Sequence, residues 1–237
     1  FLTVQKVLSE NKLGRLIEFE SHFDRYRTFI TPDTWKEEGN EYAGVLYNLG
    51  SHTVDQAYVL FGKPVSVSAN LKIVRTAGVV TDYYDIRLEY EGFTAILKCS
   101  YLVKNAGPHF SIYGEYGTFY KNGMDPQEEL LKAGNMPDGE KLGVEAPDDW
   151  GVIFYEKEGE DFEELVETVP GNYNIFYNNV YDAIRNGAEL LVKPEETVEV
   201  LKILEACLLV IARNVQCFCN VLFKNTMKKR RLIWASL

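Results

Sequence analysis

VSVSANLKIVRTAGVVTDYYDIRLEYEGFTAILKCSYLV, residues 65–103, is the run that decides the fold. It falls into three stretches rich in β-branched and aromatic side chains, 65–74, 80–90 and 94–103, parted by Gly78 and by Glu91 and Gly92. Such residues suit a half-buried pleated surface, and linkers this short join strands that run antiparallel. An antiparallel meander is expected. Outward from it, a strand at 16–27 runs into a loop that lasts to Gly44, and further strands are expected at 110–113, 117–120, 152–155 and 162–168. Apolar residues at helical spacing mark a lead-in helix within 1–12, a helix at 45–61 (Leu46, Leu49, Val54, Ala57, Leu60), a short one at 126–132, and two more at 174–185 and 194–207. Strands in a run with helices at both ends is the α+β pattern, and no βαβ alternation suggests a doubly wound parallel sheet. GxGxxG and GxxxxGK[ST] are both missing, and Gly114 and Gly117 read as a turn between strands. The expected organisation is one domain, 1–207, followed by an atypical basic tail, 208–237.

Composition limits what such a domain can meet. With 237 residues, 46% apolar, 15 tyrosines and 13 phenylalanines, the chain can bury a sizeable core. A net charge of −10 repels phosphate backbones, so nucleic acid is not an expected partner. The longest apolar run, residues 206–212, falls well short of the roughly 20 residues of a membrane span, so no membrane partner is expected either. All six ionised residues after Glu205 are basic (Arg213, Lys224, Lys228, Lys229, Arg230, Arg231), which sets the tail apart. A shifted reading frame or intron read-through would produce such a tail, and a basic targeting patch at KKRR is the functional rival. Cys99, Cys207, Cys217 and Cys219 form no CxxC pair and follow no secretory signal, which points to reduced thiols, a cytoplasmic protein and no metal. The chain opens on Phe1 and its first methionine is Met124, so it is expected to lack its true beginning.

His52 is the histidine best placed for chemistry. At about 100° per residue, Asn48 one turn before it and Asp55 one turn after it project into the same sector of a continuous helix. An imidazole with such neighbours can exchange a proton with a substrate hydroxyl near neutral pH. The same spacing serves equally well for a structural hydrogen-bonded pair, and spacing alone leaves both open. Trp35 and several tyrosines suit the lining of a sugar cleft, although aromatic side chains more often serve a core.

AGVLYNLGSHTVDQAYVLFGKP (43–64) resembles the start of the C-terminal domain of the Gfo/Idh/MocA oxidoreductases. LGRLIEFESHFDRYR (13–27), IYGEYGTFYKNGMDPQEELLKAG (112–134) and PGNYNIFYNNVYDAIRNGAELLVKPEETVEVLKILEAC (170–207) extend the likeness in collinear order, particularly to the scyllo-inositol dehydrogenase-like branch. The resemblance implies an open sheet with helices packed on one face, in a chain lacking the Rossmann domain that precedes it in that family. It further implies an NAD- or NADP-dependent dehydrogenase acting on a polyol, inositol or sugar, and a homo-oligomer formed through the open sheet face. Under it His52 is the catalytic residue that handles the hydroxyl proton, and Asn48, where the family carries an aspartate, Trp35 and Asp55 belong to the substrate site. Without the nucleotide-binding half, the isolated chain is expected to bind no cofactor and to be inactive. The alternative is a cofactor-free binding or dimerisation module derived from that domain.

Overall fold

A computed structural model describes residues 1–40, 42–136, 143–213 and 217–218. Contacts gather into two compact units, a central one (17–107 and 198–237) and a terminal one (1–16 and 108–197).

In the central unit the meander forms as expected. β2 (Ser66–Lys72) pairs antiparallel with β3 (Tyr83–Tyr90), and β3 with β4 (Phe93–Ser100). β1 (Leu16–His22) lies parallel to β4, with Glu18 opposite Thr94 and His22 opposite Lys98. A two-residue strand, Cys217–Phe218, pairs antiparallel with β2 at the other edge. Alternation sends Tyr84, Ile86 and Leu88 of β3 into the core, where helices cover them. The residues expected to form one helix form two, α2 (Val45–Asn48) and α3 (Gly50–Phe61). The break is at Leu49, with φ −115°, where the His52 amide bonds to the carbonyl three residues back instead of four. Gly50 is a weak helix former and makes the break inexpensive. A Cβ there would make ordinary van der Waals contact, 3.5 Å from Leu204 and 3.7 Å from Tyr84. Thr53 meets the Tyr84 hydroxyl at 3.1 Å, and Thr53, Val54 and Ala57 turn inward. The last helix, α6, is longer than expected, running Pro194–Arg213, with Cys207 and Val210 both buried. The expected boundary at 207 falls inside it. Of the expected tail, only 208–213 and 217–218 are described, and KKRR lies outside the described residues.

The terminal unit holds α1 (Leu2–Glu10), which buries Thr3, Val4 and Val7 and ends at Asn11 in left-handed geometry, three residues before the expected Gly14 signal. β5 (Phe110–Gly114), β6 (Gly117–Lys121), β7 (Gly151–Lys157) and β8 (Glu160–Val166) pair antiparallel in sequence order. Glu158 and Gly159 both take positive φ, the geometry a two-residue hairpin requires. α4 (Gln127–Lys132) and α5 (Asn174–Asn186) complete this unit. Its buried Lys121 ammonium bonds Glu145 at 2.5 Å and the carbonyls of Asn122 and Asp149. A buried charge is tolerated only with such partners.

Candidate functional site

Gly44 begins the geometry of the site. Its φ is +81°, and a Cβ there would sit 2.4 Å from the Thr81 carbonyl, so only glycine fits between the loop and the approach to β3. The Val45 amide donates to that same carbonyl at 2.8 Å, which pins the first turn of α2 and aims Asn48. Asn48 then opens onto a polar cleft of about 220 Å³ in the central unit.

Arg75 is the structural centre of the cleft. It is 4% exposed, and its guanidinium donates to Asp82 (Nε, 2.8 Å), to both oxygens of Glu37 (3.0 and 2.7 Å) and to the Phe29 carbonyl (2.7 Å). Burial works against its charge, but the bonds to Glu37 and Asp82 more than offset this and hold its pKa above the ordinary value. One side chain therefore ties the loop bearing Phe29 and Glu37 to the turn before β3. Tyr101 lies beneath, with the Arg75 guanidinium 4.8 Å and the Arg27 guanidinium 5.6 Å from its ring centre. Burial raises the Tyr101 pKa, with the neighbouring arginines opposing. Lys36, Thr31 and Thr34 complete the polar wall.

The expected site residues fall in different places. Asn48 lines this cleft. Trp35 is exposed in the loop, between the lining residues Thr34 and Lys36, with the Lys36 ammonium 5.8 Å from its ring centre. His52 and Asp55 lie on the exposed side of α3 and are not among the residues lining the cleft; the His52 ring stacks on Phe23 at 5.9 Å. Asn48 and His52 stand on either side of the break at Leu49, which itself keeps right-handed helical backbone angles (φ −115°, ψ −32°). His22 sits between two carboxylates, Glu20 and Asp24, each at 3.3 Å, and Asp24 also accepts the Ser100 amide.

Arg27, Lys36, Glu37, Arg75 and Asp82 were not expected from the sequence. The available signal was Arg75 itself, the one charged residue in the otherwise uncharged run IVRTAGVV. Its partners, 38 and 46 residues away, were not readable. Among the described residues no group of three or more His, Cys, Asp or Glu could hold a metal ion, and no helix is long and apolar enough to cross a membrane.

Comparison with known proteins finds a match to one family model over residues 5–214, described as an oxidoreductase family, C-terminal alpha/beta domain. The chain is 34% identical over 208 residues to scyllo-inositol 2-dehydrogenase (NADP(+)) IolW of Bacillus subtilis, covering 88% of this chain and 58% of that protein. It is 37% identical to the uncharacterised oxidoreductase YdgJ of Escherichia coli, covering 86% and 58%. The solved structure of yvaA from Bacillus subtilis superposes with a TM-score of 0.86 at 32% identity, covering 92% of this chain and 62% of that one. The chain thus spans about 58% of the length of these curated relatives.

Proposed function

From the premise that this chain belongs to the Gfo/Idh/MocA oxidoreductase family and contains its C-terminal alpha/beta domain, we propose that it is the substrate-side half of an NAD(P)-dependent dehydrogenase acting on a polyol, inositol or sugar. One observation carries the reading: Asn48, just ahead of the helix that bears His52, opens into a monosaccharide-sized polar cleft. About 220 Å³ is below the roughly 300–1,000 Å³ of sites for drug-sized ligands.

The described residues do not fit a dinucleotide. The cleft is too small, the sequence has no glycine-rich phosphate loop, and the parallel strands β1 and β4 are joined through α2, α3, β2 and β3 rather than by one crossover helix. No chemical step is derived through the nicotinamide, and this chain by itself is proposed to bind none and to be inactive. Its own contribution is to hold the substrate and move a proton. Asn48 hydrogen-bonds a substrate hydroxyl through either end of its carboxamide without adding charge. His52, exposed and backed by the Phe23 ring, takes the proton of the reacting hydroxyl, while Asp55 orients the imidazole and Trp35 offers an apolar face to the sugar ring. The outward face of the central sheet, with Asp85 and Arg87 beside Lys98, is proposed to meet a second copy. The buried thiols of Cys99 and Cys207 suit a reducing, cytoplasmic setting.

The test joins this chain behind the nucleotide-binding half of IolW and follows NADPH formation with scyllo-inositol and related polyols. Polyol-dependent reduction of NADP+ is expected. A fusion that binds NADP+ yet oxidises none of them would overturn the reading. For the isolated chain, NADH or NADPH should leave Trp35 and Trp150 fluorescence unquenched, and saturable quenching would refute the absence of a cofactor site.

A further inference from the structure

The cleft has a charge balance opposite to that of the chain around it. Its wall carries three cations, Arg27, Lys36 and Arg75, and one carboxylate, Glu37. That carboxylate is committed to Arg75 through two hydrogen bonds, and the third strong bond of Arg75 goes to Asp82, so Arg75 is neutralised within the fold. Arg27 and Lys36 have no carboxylate partner among the described residues. Instead their charges rest against aromatic faces, Arg27 over Tyr101 and Lys36 over Trp35. Arg27 is further fixed through its main chain, whose amide donates to the Tyr101 carbonyl at 2.7 Å. On a chain of net charge −10, two cations without carboxylate partners at one polar cleft create a local site of opposite sign.

Resting on the proposed polyol-binding role of this site, we infer that the cleft selects an anionic polyol, a six-carbon sugar or cyclitol bearing one carboxylate or phosphate, which Arg27 and Lys36 hold. A neutral polyol in the cleft would leave both cations without a counter-charge. An acid group accepts charge-assisted bonds from both, the stronger class of hydrogen bond. Asn48, Thr31 and Thr34, on the same wall, are left to read the hydroxyls. Arg27 and Lys36 are specificity-determining residues in this assignment and take no part in the proton transfer.

Calorimetric titration of the chain with D-glucuronate, D-glucose 6-phosphate, myo-inositol and sodium acetate tests this. At least one of the two sugar acids should bind about tenfold or more tighter than myo-inositol, as expected for an added charge-assisted contact. That preference should shrink in Arg27→Gln and Lys36→Gln, both checked for an unchanged circular dichroism spectrum, and should fall with added salt in the unaltered chain. Equal affinity for the acids and myo-inositol would overturn the anion preference and leave the polyol reading standing. Acetate binding as tightly as the sugar acids would support the anion site while removing the polyol reading. Failure of all four to bind would overturn both.

Discussion

Replacing Arg75 with methionine tests how much the loop clamp contributes. Methionine fills much of the same volume but removes every guanidinium donor, so four hydrogen bonds are lost. Glu37 is near the surface and can turn to water. Asp82 cannot: its side chain is 0% exposed, and it would keep only the amides of Val74 (2.6 Å) and Arg75 (3.1 Å). Stranding one member of a buried ion pair costs about 3–5 kcal/mol. For a chain of this size, 1 kcal/mol moves the melting temperature by roughly 2–4 °C, so R75M should melt about 10 °C lower. Differential scanning calorimetry of the two proteins measures this. Arg75→Met combined with Asp82→Asn should regain part of the loss, because the stranded charge is removed while a carboxamide oxygen still accepts a main-chain amide. A shift below about 2 °C in R75M, or a double variant that melts lower than R75M alone, would refute the argument that the buried carboxylate carries the cost.

Three further outcomes follow from the site and the surface. In the fusion with a nucleotide-binding half, His52→Ala should remove most of kcat while NADP+ affinity holds, and an equal loss of both would show a structural histidine. Asn48→Asp in the same fusion, restoring the residue usual in the family, should keep or raise kcat, and a clear drop would count against hydroxyl contact at this position. Glu164 is held below the ordinary carboxylate range by its bonds to Lys12 and Tyr155, so its folded-state pKa is depressed. Its contribution is present at neutral pH and is lost as pH falls through the ordinary range to the depressed value. Melting curves of the unaltered chain and Glu164→Gln should therefore differ at pH 7 and draw together as the pH is lowered, whereas a constant gap would contradict this.

What was legible in the sequence was whatever a single segment encodes. The meander from 65 to 103 shows itself because its β-branched and aromatic residues alternate between turn-forming glycines: Ser66–Lys72 and Tyr83–Tyr90 lie inside the expected stretches, and Phe93–Ser100 begins one residue before its own. Asn174–Asn186 is legible for the same reason, as one amphipathic period ending at Gly187. Two features were hidden for opposite reasons. The break at Leu49 leaves the apolar spacing almost untouched, so periodicity passes over it. The continuation of α6 to Arg213 was masked by a change in composition, although Ala206, Cys207 and Val210 keep the helical spacing of buried residues. Asn48, which lines the cleft, stood out because it belongs to the helix pattern. The Arg75 clamp was not, because its meaning lies in groups that only folding brings together.

The interruption between α2 and α3 gives the two halves of this segment separate anchors. Residue 48 is set by the glycine-to-carbonyl seat at Gly44 and Thr81, whereas the platform under His52 is fixed by Gly50 against Leu204 and Tyr84, by Thr53 on the Tyr84 hydroxyl, and by the burial of Val54 and Ala57. A side chain at 48 can then be exchanged without tilting that platform. Under the roles proposed above, this makes position 48 a dial for the hydroxyl pattern, turned independently of the residue proposed to move the proton.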